Sequence, residues 1–298
     1  MSVESTSVEA FEEHRPLLVS IAYRMLGSLA EAEDLVQDAW LRWDRTDRAE
    51  IVDVRAFLVR MTTRLAIDRL RRLKARRESY IGPWLPEPVL TERDVAEDVE
   101  LAESVSLALL VVLETLSPLE RAVFVLREAF CHSHAEIGEI IGRNEATVRQ
   151  LARRARQHVQ QREPRFDADQ AARRRVTEQF LDACNNGDLN ALMAVLAPGV
   201  TLYADSGGRV RAPRRPIEGA DKVARFFLAI WPISYSDWIG VAEEPGMEIR
   251  LVRVNDGPGL VVTADGKPVG ALVLEIADGV IQTIDLMANP DKLAGLRG

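Results

Sequence analysis

Apolar side chains recur every three or four positions from about Val8 to Arg77, and this spacing predicts helices throughout the stretch. Ser28-Leu29-Ala30-Glu31 has the form of a capping box, in which two helix-end donors are satisfied reciprocally. The helix it opens should place Ala32, Leu35, Val36, Ala39 and Trp40 on one apolar face. Glu33, Asp34, Gln37, Asp38 and Leu41 then lie elsewhere around it. A third helix is expected to start near Asp53 and to carry Phe57, Leu58, Met61, Leu65, Ile67 and Leu70 into a basic run. Tyr80 to Thr91 (YIGPWLPEPVLT) breaks the pattern, because its prolines and glycine exclude a continuous helix. Polar linkers stay in water. This one carries Tyr80, Ile81, Trp84 and Leu85, so it should dock.

Helical periodicity resumes at about Asp98. Ser117-Pro118-Leu119-Glu120 combines a cap, a proline at the first helical position and a capping glutamate. Ser133-His134-Ala135-Glu136 opens a short helix that should end at Gly142, and Asn144 can cap a second helix from Glu145. A short helix, a glycine turn and a second helix rich in Arg and Gln make a helix-turn-helix. After Pro164 a helix runs from about Gln170 to Cys184, and Asn185-Asn186-Gly187 stops it. Asp188 caps another, expected to end at Ala197-Pro198-Gly199. Strand signals then dominate, apart from one helix around Asp221 to Ile230. Asp256-Gly257, Asp265-Gly266 and Asp278-Gly279 separate runs rich in Val, Ile and Leu. The expectation is helices packed on a curved antiparallel sheet.

With 298 residues, 47% hydrophobic and 28% charged, the chain can bury the cores of two or three domains. No apolar run reaches membrane-spanning length, and the acidic N-terminus lacks a signal pattern. A cytoplasmic protein with no membrane partner is expected. Its two cysteines, Cys131 and Cys184, are far apart, which speaks against a disulfide framework. Cys131, His132 and His134 lie close together, but no second ligand pair follows at a structural spacing, so no metal or other cofactor is expected.

Net charge is −8, which taken alone argues against nucleic acid. Its distribution changes the picture. Arg64, Arg69, Arg71, Arg72, Lys74, Arg76 and Arg77 form one basic run, and Arg149, Arg153, Arg154 and Arg156 form another. An acidic stretch through Glu87, Glu92, Asp94, Glu97, Asp98, Glu100 and Glu103 separates them. In the second helix of the helix-turn-helix, Val148, Leu151, Ala152 and Ala155 can face inward while Arg149, Gln150, Arg153, Arg154 and Arg156 face DNA. Arg can donate bidentately to guanine and Gln can pair with adenine; other arginines clamp phosphates. The plain alternative is a solvated charged face. The first basic run follows a block containing Trp40, Trp43 and Phe57, and aromatic rings beside arginines suit single-stranded DNA. Trp40 and Phe57 are read instead as core.

AEDLVQDAWLRW (Ala32 to Trp43) and RAFLVRMTTRLAIDRLRR (Arg55 to Arg72) resemble region 2 of extracytoplasmic-function sigma factors. LSPLERAVFVLRE and AEIGEIIGRNEATVRQLARRAR resemble their region 4, in matching order and spacing. Trp84-Leu85-Pro86-Glu87-Pro88 and Asn289-Pro290-Asp291-Lys292-Leu293 resemble motifs of a subgroup with a fused SnoaL-like domain of the nuclear-transport-factor-2-like cone fold. That subgroup carries an Asp-Gly-Gly-Gly-Arg/Lys motif. Here the stretch is Asp205-Ser206-Gly207-Gly208-Arg209, with serine in place of one glycine.

The resemblance implies a multidomain chain: two all-α sigma domains, a region 2 bundle (1–78) and a region 4 helix-turn-helix (98–163), joined by a linker (79–97). A cone-shaped α+β SnoaL-like domain (164–298) follows. It implies promoter-specific transcription initiation with core RNA polymerase, through its β′ and β subunits, and with promoter DNA. Asp34, Gln37, Asp38 and Leu41 would bind the β′ coiled coil. Arg64, Arg69, Arg71, Arg72 and Lys74, with the loop before Asp53, would engage and melt the −10 element, and the helix from Glu145 to Arg156 would read the −35 element. Trp84 to Pro88, Asp205, Gly207, Gly208 and Asn289 to Leu293 would act between domains, in place of a separate anti-sigma protein.

Two other readings of the C-terminal domain stand beside this clamp. Catalysis would need a general base, for which Asp205, Asp237 and Asp285 are the candidates, since this half contains no histidine. A non-enzyme is expected. A sensor would hold an unidentified small molecule near Phe226, Phe227, Trp231 and Trp238. For the whole chain the alternative is a stand-alone helix-turn-helix repressor.

Overall fold

A computed structural model describes residues 3–91, 105–162, 170–231, 246–255 and 257–296. The resumption of helix at Asp98, the acidic stretch from Glu92 to Glu103, and Asp237, Trp238 and Asp256 lie outside these residues. The chain divides into two compact units, Met1–Glu78 with Leu109–Glu163, and Ser79–Ala108 with Pro164–Gly298. Among the described residues no helix is long and apolar enough to cross a membrane.

The first unit is helical. α1 (Val3–Glu12), α2 (Arg15–Leu26), α3 (Leu29–Asp44) and α4 (Val54–Arg77) form one bundle. Ser28 caps α3 through its hydroxyl, which accepts from the Glu31 backbone N–H at 3.2 Å. The Glu31 carboxylate also pairs with Arg69 across the bundle at 2.5 Å. Asp53 caps α4, accepting from Ala56 N at 2.9 Å. Leu58, Val59, Thr62, Thr63, Ala66, Ile67 and Leu70 make its buried stripe, at the three- and four-residue spacing an inward face requires. Trp43, not Trp40, is the central aromatic. It is 1% exposed, and its indole N–H donates to Ser7 O at 3.0 Å, which satisfies the one polar atom it buries. Trp40 and Phe57 are only half-buried, at the rim against Phe11 and Trp43 respectively.

α5 (Leu107–Leu113) leads into α6 (Pro118–Phe124), a π-helical turn at Val125–Ala129, α7 (His134–Ile141) and α8 (Glu145–Arg162). Both sequence-predicted capping boxes, Ser117/Glu120 and Ser133/Glu136, are complete. Asn144 accepts from Thr147 N at 2.8 Å and so starts α8. The α7–α8 turn needs glycine at 138 as well as at 142. A Cβ on Gly138 would stand 2.6 Å from the Arg143 carbonyl, inside any allowed contact.

The second unit is α+β. α9 (Gln170–Asn186), α10 (Leu189–Val195) and α11 (Ala220–Ile230) cover one face of a sheet. Its strands are β1 (Leu196–Asp205), β2 (Ile217–Glu218), β3 (Met247–Val254), β4 (Gly257–Ala264), β5 (Lys267–Ala277) and β6 (Val280–Met287), in the order β2-β1-β6-β5-β4-β3. Two expectations are corrected. β1 runs parallel to β6, so the sheet is mixed rather than antiparallel. Ala197-Pro198-Gly199 lies inside β1 instead of ending a helix; the β1–β6 register shifts between Leu196 and Thr201, and this irregularity accommodates a proline that cannot donate to a ladder. Asp265 and Asp278 adopt positive φ in the two described Asp-Gly hairpin turns. Phe180, Leu192, Val223, Phe227, Leu260 and Ile284 build the core between helices and sheet, with Phe180 and Phe227 edge-to-face at 5.1 Å.

Candidate nucleic-acid interface and linker site

On α8, Arg149, Gln150, Arg153, Arg154 and Arg156 are all exposed, while Val148, Ala152, Ala155 and Val159 are buried. Leu151 is half-buried. The amphipathic division is the one the sequence predicts, and it leaves a continuous cationic face. Arg149 pairs with Glu145 at 2.9 Å and Arg156 with Glu128 at 2.8 Å. Such exposed pairs are weak and exchange readily for phosphate.

The basic run on α4 is placed otherwise. Arg71 and Arg72 are exposed. Arg69 leans onto α3, where it meets Glu31, Asp34 at 3.4 Å and Asp38 at 3.6 Å. It therefore shares the patch containing Gln37 and Leu41, whose side chains are exposed beside those carboxylates. Arg64 donates to Ile140 O at 2.7 Å and to Glu139 O at 3.2 Å, at the C-terminal end of α7. Lys74 donates to the carbonyls of Glu114, at 3.0 Å, and Leu116. Burial holds the Lys74 ammonium below its usual pKa. Glu114 joins both Arg77 and Arg121, and Arg121, wholly buried, also donates to Arg24 O at 2.9 Å. Sequence reasoning missed Glu114 and Arg121. The one hint was an acidic residue closing the apolar run Leu107 to Leu113.

In the second unit the linker and both C-terminal motifs meet at Asp205, which is 0% exposed. One carboxylate oxygen accepts from the Tyr80 hydroxyl at 2.5 Å and from Gly207 N at 3.2 Å. The other accepts from Leu85 N at 2.8 Å and Lys292 Nζ at 2.6 Å. Lys292, 8% exposed, also donates to Leu85 O and sits 4.0 Å from the centre of the Trp84 ring. Asn289 donates to Tyr80 Oη at 2.9 Å and accepts from Asp291 N at 3.1 Å, opening the short turn Pro290–Lys292. Burial, then the hydrogen bond to Asp205, pushes the Tyr80 phenol above its ordinary pKa and keeps it a donor. A buried carboxylate is tolerable only when so surrounded.

The substituted loop fits this geometry. Gly207 and Gly208 take positive φ, and a Cβ at 207 would lie 2.7 Å from Asn289 Nδ2. Ser206 is not among the positive-φ residues, and its hydroxyl accepts from Gly208 N at 3.3 Å. Serine is therefore compatible where the resemblance expects glycine. Pro86, Glu87, Pro88 and Leu293 are buried around the knot, and Pro290 and Asp291 are exposed, Asp291 pairing with Arg209 at 3.2 Å. Further along the linker, Val89 and Asn255 exchange hydrogen bonds and Thr91 N donates to Arg253 O at 2.9 Å, so this segment adds to β3.

The remaining acidic candidate, Asp285, faces away from the helices, because its neighbours Ile284 and Leu286 fill the core. It is 1% exposed, neither carboxylate oxygen has a hydrogen-bond partner among the described residues, and burial with nearby Glu275 raises its pKa well above the ordinary carboxyl range. Phe227 is in the core, Phe226 and Trp231 pack against it, and the Trp231 indole donates to Asn185 Oδ1 at 2.8 Å. Among the described residues no group of three or more metal-ligating side chains comes together.

Residues 10–77 match the family description Sigma-70 region 2, and residues 106–159 match Sigma-70, region 4. The ECF RNA polymerase sigma factor SigJ of Mycobacterium tuberculosis is 38% identical over 296 residues, 97% of this chain and 93% of that protein. The probable ECF RNA polymerase sigma factor SigI of the same species is 35% identical over 300 residues, 100% of this chain and 98% of its own. The crystal structure of the M. tuberculosis SigJ superposes with a TM-score of 0.76 at 36% identity, covering 97% of this chain and 98% of that one.

Proposed function

The chain belongs to the extracytoplasmic-function RNA polymerase sigma factors, and from that premise we propose how it divides the work of initiation and of its own control. Region 2 (1–78) docks core polymerase in the cytoplasm through Asp34, Gln37, Asp38 and Leu41, which lie exposed on one patch of α3. Arg64, Arg69, Arg71, Arg72 and Lys74 of α4, with the loop before Asp53, serve the opened −10 strand. Region 4 (98–163) reads the −35 duplex with Arg149, Gln150, Arg153, Arg154 and Arg156. The linker (79–97) and the α+β domain (164–298) regulate these two in place of a separate anti-sigma protein.

The observation that carries the regulatory part is the Asp205 knot, in which the linker's own backbone at Leu85 is held by an aspartate and a lysine of the C-terminal domain. Because that linker connects region 2 to region 4, its freedom sets how far the two can separate. Control is then a population shift between linker-bound and linker-released states. The domain acts by contact rather than catalysis. Asp205 has its oxygens occupied by four donors, and Asp285 lies on the sheet face opposite the helices.

Run-off transcription with core polymerase tests this reading, comparing the full chain with truncations before Asn289 and near Asp167. Initiation that depends on the chain, with output altered by loss of the tail, is expected. Failure to bind core, together with tight operator binding in its absence, would establish a repressor instead. Equal output from the full chain and the shorter truncation would remove the tail from the control mechanism.

A further inference from the structure

Between Ser206 and Ile217, in the loop from β1 to β2, the α+β unit carries Arg209, Arg211, Arg214 and Arg215 and no acidic residue, although the net charge of the chain is −8. The backbone of this loop is fixed at several points. Arg209 N donates to Ser206 O at 2.9 Å, Ala212 packs against the hydrophobic core, and Ile217 pairs with Leu202 of β1. Pro213 and Pro216 stiffen the chain between these anchors. All four arginines are exposed. Arg209 pairs with Asp291 at 3.2 Å, whereas Arg211, Arg214 and Arg215 have neither an ion pair nor a hydrogen bond among the described residues. Cations held near one another without a counter-charge repel, and an anion relieves that repulsion. The planar fork of arginine suits phosphate in particular. The four residue steps from Arg211 to Arg215 span at most about 14 Å, and one strand of duplex DNA presents a phosphate about every 3.4 Å of its axis. A row of this kind fits a linear polyanion better than a single phosphate group.

We propose that Arg211, Arg214 and Arg215 make a further DNA contact, in which the α+β domain grips the phosphate backbone without reading its sequence. This contact presupposes that the chain binds promoter DNA, as proposed above, because regions 2 and 4 bring the DNA to the molecule. Once they hold it, the loop meets phosphate at the high effective concentration of a tethered site. Three arginines too few to capture a duplex by themselves then add to the affinity of the whole chain. No base edge is read, so the contribution is the same on every sequence and is carried by released counterions. The contact lies beside the linker, since a Cβ on Gly82 would stand 3.8 Å from Arg214 Cα. The domain thereby adds affinity for DNA as well as holding the linker.

Fluorescence anisotropy with random-sequence duplexes over a series of salt concentrations tests this, using the full chain alone and in complex with core polymerase. The triple variant Arg211→Gln, Arg214→Gln, Arg215→Gln should bind at least about tenfold more weakly. It should also flatten the plot of log affinity against log salt by about 2–3, since each phosphate contact contributes about 0.9 to that slope. The loss should be equal on AT-rich and GC-rich duplexes. Lysine at the same three positions keeps the charge and should keep the slope, which a purely structural role for the arginines would not. Should the glutamine variant melt early, Arg211→Gln and Arg215→Gln singly, each lowering the slope by about 1, give the same decision. A glutamine variant with the slope and affinity of the unaltered chain overturns the proposal and leaves promoter binding intact. So does a lysine variant as flat as the glutamine one. Unchanged duplex binding with weakened capture of core polymerase would assign the loop to an acidic protein surface, and overturns the proposal too. An unaltered chain that binds no duplex in either state defeats promoter binding itself, and this contact with it.

Discussion

Replacing Lys292 with methionine is the most direct challenge to the Asp205 knot. The ion pair is 2.6 Å long, with side-chain exposures of 10% for Lys292 and 0% for Asp205. Removing one partner of a buried pair costs roughly 3–5 kcal/mol, because the other charge is left uncompensated. Here Asp205 keeps three donors, from Tyr80, Leu85 and Gly207, which favours the low end. The contact with Trp84 adds about 1–2 kcal/mol when desolvated, part of which a methionine thioether on the ring recovers. A net loss of about 3 kcal/mol should lower the calorimetric transition of the α+β unit by about 10 °C. Asp205→Asn alone should be similarly harmful. The double variant should cost less than the sum by about 1–3 kcal/mol, since no unpaired charge remains. Amide exchange at Leu85 should accelerate in step with these losses. Strict additivity, or a Lys292→Met melting curve that overlays the unaltered protein, would refute the ionic account of the knot.

Gly207→Ala should destabilise the same unit by at least about 1–2 kcal/mol, from positive φ and a Cβ 2.7 Å from Asn289, and a transition at the original temperature would count against it. Asp285→Asn addresses the buried carboxyl facing Glu275. Its raised pKa means that the native state favours the protonated form, so its stabilising contribution is complete below the unfolded pKa of about 3.9 and is lost as pH rises through the folded value. The variant should therefore gain on the unaltered chain by up to about 1.4 kcal/mol per pH unit above pH 4 until that folded value is reached. Urea titrations showing a pH-independent gap between pH 5 and 8 would dismiss the idea. Arg153→Ala should weaken −35 recognition by about 1–3 kcal/mol if its contact is bidentate, and unchanged promoter preference on mutated templates would reassign it.

The helix ends were legible because their signals are local. Asp53, Ser117, Ser133 and Asn144 each cap a helix using atoms within three residues. The apolar character of Tyr80 to Leu85 foretold docking, and the structure supplies the partners. What the sequence could not disclose depends on distant segments. Glu31 pairs with Arg69 of α4, and Trp43 displaces Trp40 from the core because α1 brings Ser7 O to its indole. The parallel pairing of β1 with β6 joins residues about eighty apart. Which of α4's basic side chains reach carbonyls of region 4, as Arg64 and Lys74 do, is set by tertiary packing alone. An arginine bound to a carbonyl reads the same in sequence as one awaiting phosphate.

Residues 89–91 occupy the outer edge of β3, where Leu90 bridges to Val254 and Thr91 donates to Arg253. Whatever frees the linker also uncovers the C-terminal end of that edge, leaving the Arg253 carbonyl and the Asn255 amide unmatched and able to recruit a stray strand. Aggregation on prolonged opening is thus an inherent hazard of the arrangement. It selects for release that is brief, or that is completed only when another surface takes over the vacated edge.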